Sequence, residues 1–184
     1  QRRRFEAITR AAGFDEGSSV LDLGCGTGDL RAFLDAQLPL LPLRYLGVDQ
    51  MPEFIDTARV KFAGRADTDF VAAQFDTALL PRADIVVACG ALSYRCADPH
   101  WVYNIVARMY AAAARVLVFT LLDAAVFPEH PLLVGHDIDA MAAFSRRLAP
   151  QVAVEIGRRN TPTLMAPSFA ELEEALNGLP TDLA

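Results

Sequence analysis

The sequence predicts an α/β domain: one doubly wound, mainly parallel, seven-stranded sheet with helices on both faces and an antiparallel strand near the C-terminus. Three observations carry that reading. Short apolar runs alternate with helix-period segments along most of the chain, the signature of β–α–β units. A glycine-rich turn joins the first run to a helix, at the end of the sheet where such folds gather ligands. The last extended runs alternate apolar and polar residues across a turn, as an antiparallel pair does.

The elements follow in order. Residues 2–12 read as a helix with Phe5, Ile8 and Ala12 on one side, ended by Gly13. Val20 to Leu23 is a short apolar strand of the kind buried in a parallel sheet. The glycine turn 24–28 leads into a helix carrying Leu30, Phe33 and Leu34 inward. Tyr45 to Val48 is strand two, and Pro52 sits in the first turn of the next helix, where its missing N–H costs nothing. Phe70 to Ala72 is strand three and Ile85 to Ala88 strand four. Asp98-Pro99 starts a helix whose stripe is Val102, Ile105, Val106, Met109 and Ala113, and Val116 to Leu122 is strand five. A helix from Asp137 to Leu148 precedes a strand over 152–156, with Thr163 to Ala166 as its antiparallel partner across the turn 157–162. Ser168-Phe169-Ala170-Glu171 is a capping box opening a final helix that Asn177-Gly178 stops.

Length and composition set the bounds. At 184 residues, 53% of them apolar, the chain suits one domain over 1–184 with a full core: an N-terminal helix acting as a lid over 1–17 and a sheet domain over 18–184. Residue 1 is not Met and is taken as an arbitrary start. No apolar run approaches the ~20 residues that cross a bilayer, and the opening residues carry no signal-peptide pattern. A formal charge of −6 speaks against nucleic acid as a partner, because that affinity rests on cations neutralising phosphates. Cys25, Cys89 and Cys96 form no CxxC pair and read as reduced thiols of a cytoplasmic protein. The Pro- and Leu-rich stretch between Leu38 and Leu43 reads as a loop packed on the core, with contact to a second copy of the chain or to another partner as the alternative.

The most informative stretch is Val20-Leu21-Asp22-Leu23-Gly24-Cys25-Gly26-Thr27-Gly28-Asp29. Its glycines give the backbone unusual dihedrals and clear Cβ atoms from a ligand's path. The spacing is GxGxG rather than the GxGxxG of dinucleotide sites, and Asp22 and Asp29 would repel a pyrophosphate while suiting an ammonium or sulfonium. Asp49 ends strand two, 21 residues after Gly28 (49 − 28), close to the place where an acid meets ribose hydroxyls; the alternative is that it serves the helix start that follows.

The segment Val20 to Gly28 resembles motif I of the class I S-adenosylmethionine-dependent methyltransferases, and the resemblance extends over about 20–166. It implies a Rossmann-like fold, S-adenosyl-L-methionine as cofactor and S-adenosyl-L-homocysteine as product. In the resemblance the cofactor site comprises Asp22, Gly24, Cys25, Gly26, Gly28, Asp49, Gln50, Met51, Phe75, Asp76, Cys89 and Gly90. Gln50 and Met51 line the adenosine pocket. Asp76 meets the adenine amino group beneath Phe75, unless it is an ordinary turn residue. Cys89, Gly90 and Ala91 pass under the methionine part. The Asn/Asp-Pro-Pro-Tyr signature of amino-directed enzymes is absent, as is the carboxylate that would hold a metal at the end of strand four. His130, His136, Asp123, Glu129 and Asp137 match no familiar metal spacing and read as surface-loop residues, so no metal is expected.

Methyl transfer needs alignment and water exclusion more than a fixed catalytic group. Tyr94 and His100 are the candidates near the methyl: Tyr94 to orient the nucleophile or to pack under the next helix, His100 as a base or as a plain first-turn residue. The segment 123–136 and the Arg-rich first helix are expected to form the lid. The acceptor is expected to be a small molecule. A binding module without catalysis and an NAD-type oxidoreductase are the competing classes.

Overall fold

The computed structural model describes residues 1–149, 151–156 and 162–167. Its elements are α1 (Arg2–Ala12), β1 (Ser19–Leu23), α2 (Asp29–Gln37), β2 (Arg44–Asp49), α3 (Pro52–Lys61), β3 (Thr68–Ala72), β4 (Ala83–Ala88), α4 (Trp101–Ala112), β5 (Ala113–Thr120), α5 (Ile138–Leu148), β6 (Ala153–Ile156) and β7 (Pro162–Pro167). The capping box at Ser168 and the helix expected after it lie outside the described residues, as does most of the turn before β7.

Five strands, in the order β3-β2-β1-β4-β5, run parallel, and β7 and β6 continue the sheet beyond β5, with β7 antiparallel to both its neighbours. The order reverses between β1 and β4. That is the switch point where an open α/β sheet leaves a crevice at the carboxyl ends of its strands. The central strands carry apolar side chains on both faces, with Leu21, Leu23, Val86 and Ala88 in one core cluster and Val20, Ile85 and Val87 in the other. Such two-sided burial explains why they read as continuous apolar runs rather than alternating ones.

Several boundaries differ from the sequence reading; β3 and β4 each begin two residues earlier than expected, at Thr68 and Ala83. β5 begins at Ala113 and ends at Thr120, three residues earlier and two residues earlier than expected. α4 passes into it without a turn, and the intervening alanines serve helix and strand alike. α4 itself starts at Trp101, with Asp98 accepting the His100 N–H at 2.8 Å ahead of it. α5 matches its expected start: Asp137 is the N-cap and accepts the Ala140 N–H at 2.9 Å.

The first helix is packed on the sheet. Phe5, Ala7, Ile8 and Ala12 are buried, Phe5 meets Phe33 of α2 with ring centroids 5.5 Å apart, and Arg10 pairs with Glu155 at 2.8 Å. Removing that face from water fixes α1 on the sheet, and its first turn reaches the end of β4. In the Leu38 to Leu43 loop, Leu43 is buried and Leu38 and Leu41 pack on the same cluster, whereas Leu40 is 95% exposed. Among the described residues no helix is long and apolar enough to cross a membrane.

Candidate active site

The glycine turn is held from below. Gly24 and Cys25 N–H groups both donate to the Val48 carbonyl, at 2.8 and 3.1 Å, tying the turn to the end of β2. Gly24, Gly26 and Gly28 all have positive φ (71°, 55° and 76°), where a side chain is strained. Their surroundings differ. A Cβ on Gly24 would stand 2.2 Å from the Ala91 Cβ, and one on Gly28 would meet the Phe62 and Phe70 rings at 2.8 and 2.9 Å. Gly26 has nothing within 4 Å of that position. Two of the three glycines thus permit close packing of the protein on itself, and the middle one faces open space.

Asp49 is buried at the end of β2 and accepts two backbone N–H bonds, Gly26 to Oδ2 at 2.9 Å and Met51 to Oδ1 at 2.9 Å. It therefore fixes the turn and the start of α3 together, and the helix-start role weighed from the sequence is present alongside any other. Met51 is the N-cap of α3 with Pro52 behind it, and Gln50 and Met51 are exposed beside Asp49.

Asp22 is buried. Its Oδ2 accepts the Tyr45 hydroxyl proton, while its Oδ1, equally hidden, has no partner. Burial, with the Asp49 carboxylate adding to it, pushes its pKa up to about 7 against the pull of the Tyr45 hydrogen bond. Asp29 behaves differently: Lys61 lies 2.7 Å from it and lowers its pKa, so its charge is matched within the protein. The repulsion of a phosphate inferred from the sequence thus rests on Asp22 rather than Asp29. Cys25 turns its thiol into the core, into the notch left by Gly47, where burial raises its pKa far above the ordinary range. Only its backbone belongs to the turn's outer face.

The segment after β3 brings Phe75 and Asp76 to the same crevice. Phe75 is buried near Gly24, and its ring lies 6.3 Å from that of Trp101. Asp76 Oδ2 accepts the Trp101 Nε1 proton at 3.2 Å. Trp101, which from the sequence reads equally as a residue near the methyl and as helix packing, closes the first turn of α4 onto this segment.

At the end of β4, Cys89 is half-buried with its thiol pKa pushed up to about 11, first by desolvation. Gly90 has φ 81°, and its N–H donates to Thr120 Oγ1 at 2.9 Å. Tyr94 is 57% exposed, which removes the reading that it packs under the next helix. It pairs as an isolated bridge with Leu133. His100 is exposed at the N-cap of α4, with its backbone N–H held by Asp98.

The segment 123–136 is stitched to this wall. Arg95 N–H donates to Leu132 O, Val134 N–H to Ser93 O, and the Arg95 guanidinium to His130 O at 3.0 Å. His130 Nδ1 accepts from Leu132 and Leu133, and His136 Nε2 lies 2.9 Å from Leu92 O, its pKa lowered by burial. These histidines brace the loop. Among the described residues no group of three His, Cys, Asp or Glu side chains could hold a metal ion. A cleft of about 450 Å³ is lined by Arg95, the residue after Tyr94, together with Glu129, His130 and Pro131.

Residues 21–116 match the family model described as a methyltransferase domain. The protein named "Putative methyltransferase Rv1506c" from Mycobacterium tuberculosis is 39% identical over 102 residues, 53% of this chain and 58% of that protein. The chain thus spans little more than half the length of that curated relative. Two solved structures share the fold. Magnesium protoporphyrin IX methyltransferase (ChlM) from Synechocystis PCC 6803, with bound S-adenosylhomocysteine, superposes with a TM-score of 0.71 at 16% identity, over 91% of this chain and 83% of that one. The N-methyltransferase NodS from Bradyrhizobium japonicum WM9, in complex with the same compound, does so with a TM-score of 0.69 at 18% identity, over 92% and 87%. With the family model covering more than half of the sequence and the glycine turn lying at the switch point of the shared sheet, the chain belongs to the class I S-adenosylmethionine-dependent methyltransferases.

Proposed function

We propose that this chain binds S-adenosyl-L-methionine across the switch point between β1 and β4 and transfers its methyl group to a small-molecule acceptor. The observation that carries the reading is Gly26, a left-handed glycine facing open space in a turn whose other two glycines are packed. Asp22 fits the same ligand, because its partnerless Oδ1 is suited to a cationic neighbour rather than a phosphate. When bound, the cofactor supplies an electrophilic methyl on a sulfonium with a neutral thioether as leaving group.

The chain's own residues take these roles. Asp49 receives the ribose hydroxyls on its remaining lone pairs, each oxygen having given one to a backbone N–H. Gln50 and Met51 border the adenosine, and Asp76 and Phe75 serve the adenine end. The backbone of Gly24, Cys25, Gly26 and Gly28 and the Cys89-Gly90 segment border the remainder. Tyr94 orients the nucleophile from the mouth of the cleft at 123–136, and His100 is the nearby group able to take a proton. A small acceptor agrees with the formal charge of −6, which disfavours nucleic acid.

Titration calorimetry tests the cofactor: S-adenosylhomocysteine is expected to bind and NAD to bind much more weakly. A preference for NAD would move the protein to the oxidoreductases. Transfer of labelled methyl to a metabolite fraction distinguishes catalysis from simple binding. Once an acceptor is in hand, Tyr94→Phe is expected to lower kcat by roughly tenfold or more, the scale of one lost orienting or proton-transfer contact. Affinity for S-adenosylhomocysteine should stay the same. An unchanged rate would take Tyr94 out of the site.

A further inference from the structure

The segments that follow β4 and β5 leave neighbouring central strands at their carboxyl ends, the side where open α/β sheets bind ligands. They pair with each other: the Arg95 N–H donates to Leu132 O and the Val134 N–H to Ser93 O, at 2.9 Å each. The Arg95 guanidinium extends this pairing, its Nη2 donating to the carbonyls of His130 and Leu133 at 3.0 and 3.3 Å. That hold uses one nitrogen and fixes the group, so Nη1 and Nε keep their protons for other acceptors. Among the described residues Arg95 has no ion-pair partner. His130 is fixed as well. Its Nδ1 accepts the Leu132 and Leu133 N–H groups at 3.1 and 3.2 Å, so the neutral ring carries its proton on Nε2. Phe127 flanks that ring, with centroids 6.3 Å apart. Arg95 and His130 line one cleft of about 450 Å³ with Glu129 and Pro131. An anchored cation and an anchored ring donor in one cleft are complementary to an oxyanion on a small organic body. The Glu129 carboxylate shares the lining, which favours a singly charged carboxylate over a doubly charged phosphate.

We propose that this cleft holds the methyl acceptor and that the acceptor is an organic acid, its carboxylate bound by the Arg95 guanidinium and the His130 Nε2–H. The proposal rests on the transferase reading above and adds the substrate class to it. Arg95 adjoins Tyr94 in the chain, so one short segment serves both the acid group and the nucleophile. His130 acts here as a donor and not as a base, because its basic nitrogen is already occupied by two backbone N–H groups. A site built on charged donors also selects: a neutral analogue of the acceptor leaves the guanidinium without its partner and is rejected for that reason.

Metabolites separated beforehand on an anion exchanger, into a retained acidic fraction and a neutral-plus-basic fraction, are offered as acceptors with labelled S-adenosylmethionine. The parent protein is expected to methylate the acidic fraction. The acid so identified and its primary amide are then titrated calorimetrically into protein saturated with S-adenosylhomocysteine. The parent should prefer the acid by roughly tenfold or more, the scale of a charge-assisted hydrogen bond. Arg95→Gln should lose that preference by weakening the acid alone. Arg95→Lys should recover part of it, and keeps the test open should the glutamine loosen the turn. Affinity for S-adenosylhomocysteine should agree within about twofold among the three proteins, the loss being confined to the contact removed. Methylation confined to the neutral-plus-basic fraction overturns the proposal. So does an equal loss of acid and amide in Arg95→Gln, the mark of an arginine that only braces residues 130–133. If the parent binds S-adenosylhomocysteine yet methylates neither fraction, the transferase reading itself has failed and the proposal falls with it, an outcome distinct from the other two.

Discussion

Gly24→Ala is expected to destabilise the fold by about 2–5 kcal/mol, whereas Gly26→Ala is expected to cost only about 1–2 kcal/mol of stability yet remove most of the affinity for S-adenosylhomocysteine. Both residues have positive φ, so each alanine meets the same local strain of about 1–2 kcal/mol. They differ in what the new methyl would touch. At Gly24 it would lie 2.2 Å from the Ala91 Cβ, so the turn or the segment after β4 must move, and overpacking of that kind typically costs about 1–3 kcal/mol more. At Gly26 it would meet no protein atom, and it would occupy the space assigned to the cofactor. Denaturant unfolding and calorimetry on the two variants should therefore give opposite orders. Gly24→Ala is the less stable, and Gly26→Ala is the weaker binder relative to its stability. If Gly26→Ala binds S-adenosylhomocysteine as the parent does, the turn is only a packing device and the cofactor lies elsewhere.

Much of this site is legible in the sequence because it is built from local pieces. The glycine turn and Asp49 are each a strand end followed by a helix start, and strand ends can be read from apolar runs. What is not legible are the partners. Tyr45 donates to Asp22 from the neighbouring strand, Trp101 to Asp76 across 25 residues, and the Gly90 N–H to Thr120 across 30. Arg4 reaches Gly90 from the far end of the chain. No periodicity encodes such pairs, since they arise from strand order and helix docking. Two side chains have partners that the sequence hides for the same reason. Asp29 looked like a free carboxylate because Lys61 is 32 residues away, and Cys25 looked like a ligand-facing residue because the notch at Gly47 that takes its thiol is on another strand. The parallel sheet itself follows from the β–α–β rhythm, but the α4–β5 junction does not, because alanine carries no strong preference that would mark where one ends.

The other large effect is a pH dependence centred on Asp22. Its carboxyl is raised from the ordinary value near 3.8 to about 7, chiefly by burial. Between those values the folded protein holds a proton that the unfolded chain has released. Stability therefore falls as pH rises through this window, the reverse of a salt-bridged carboxylate. At about 1.4 kcal/mol per pH decade the contribution is at most about 4 kcal/mol between pH 4 and 7. His136 has the opposite sign: its pKa is lowered in the fold, so its contribution grows as pH climbs towards 6.5. Comparison with Asp22→Asn isolates the carboxylate, because the amide keeps the shape and cannot ionise. Without ligand, the variant is expected to gain stability relative to the parent as pH goes from 5 to 8. The groups around Asp22 are Tyr45 and Cys25, both held neutral here by burial, the Cys89 thiol and the Asp49 carboxylate; Arg31 acts on Tyr45 and Arg4 on Cys89, and among the described residues no cation acts on the Asp22 carboxyl itself. An ammonium from the ligand would. Affinity for S-adenosylhomocysteine should accordingly rise between pH 6 and 8 in the parent, with proton release on binding near pH 6, and should be flatter in Asp22→Asn. Parallel stability profiles for the two proteins would mean that Asp22 ionises in the fold as it does in water, and that its buried oxygen is not waiting for a cationic partner.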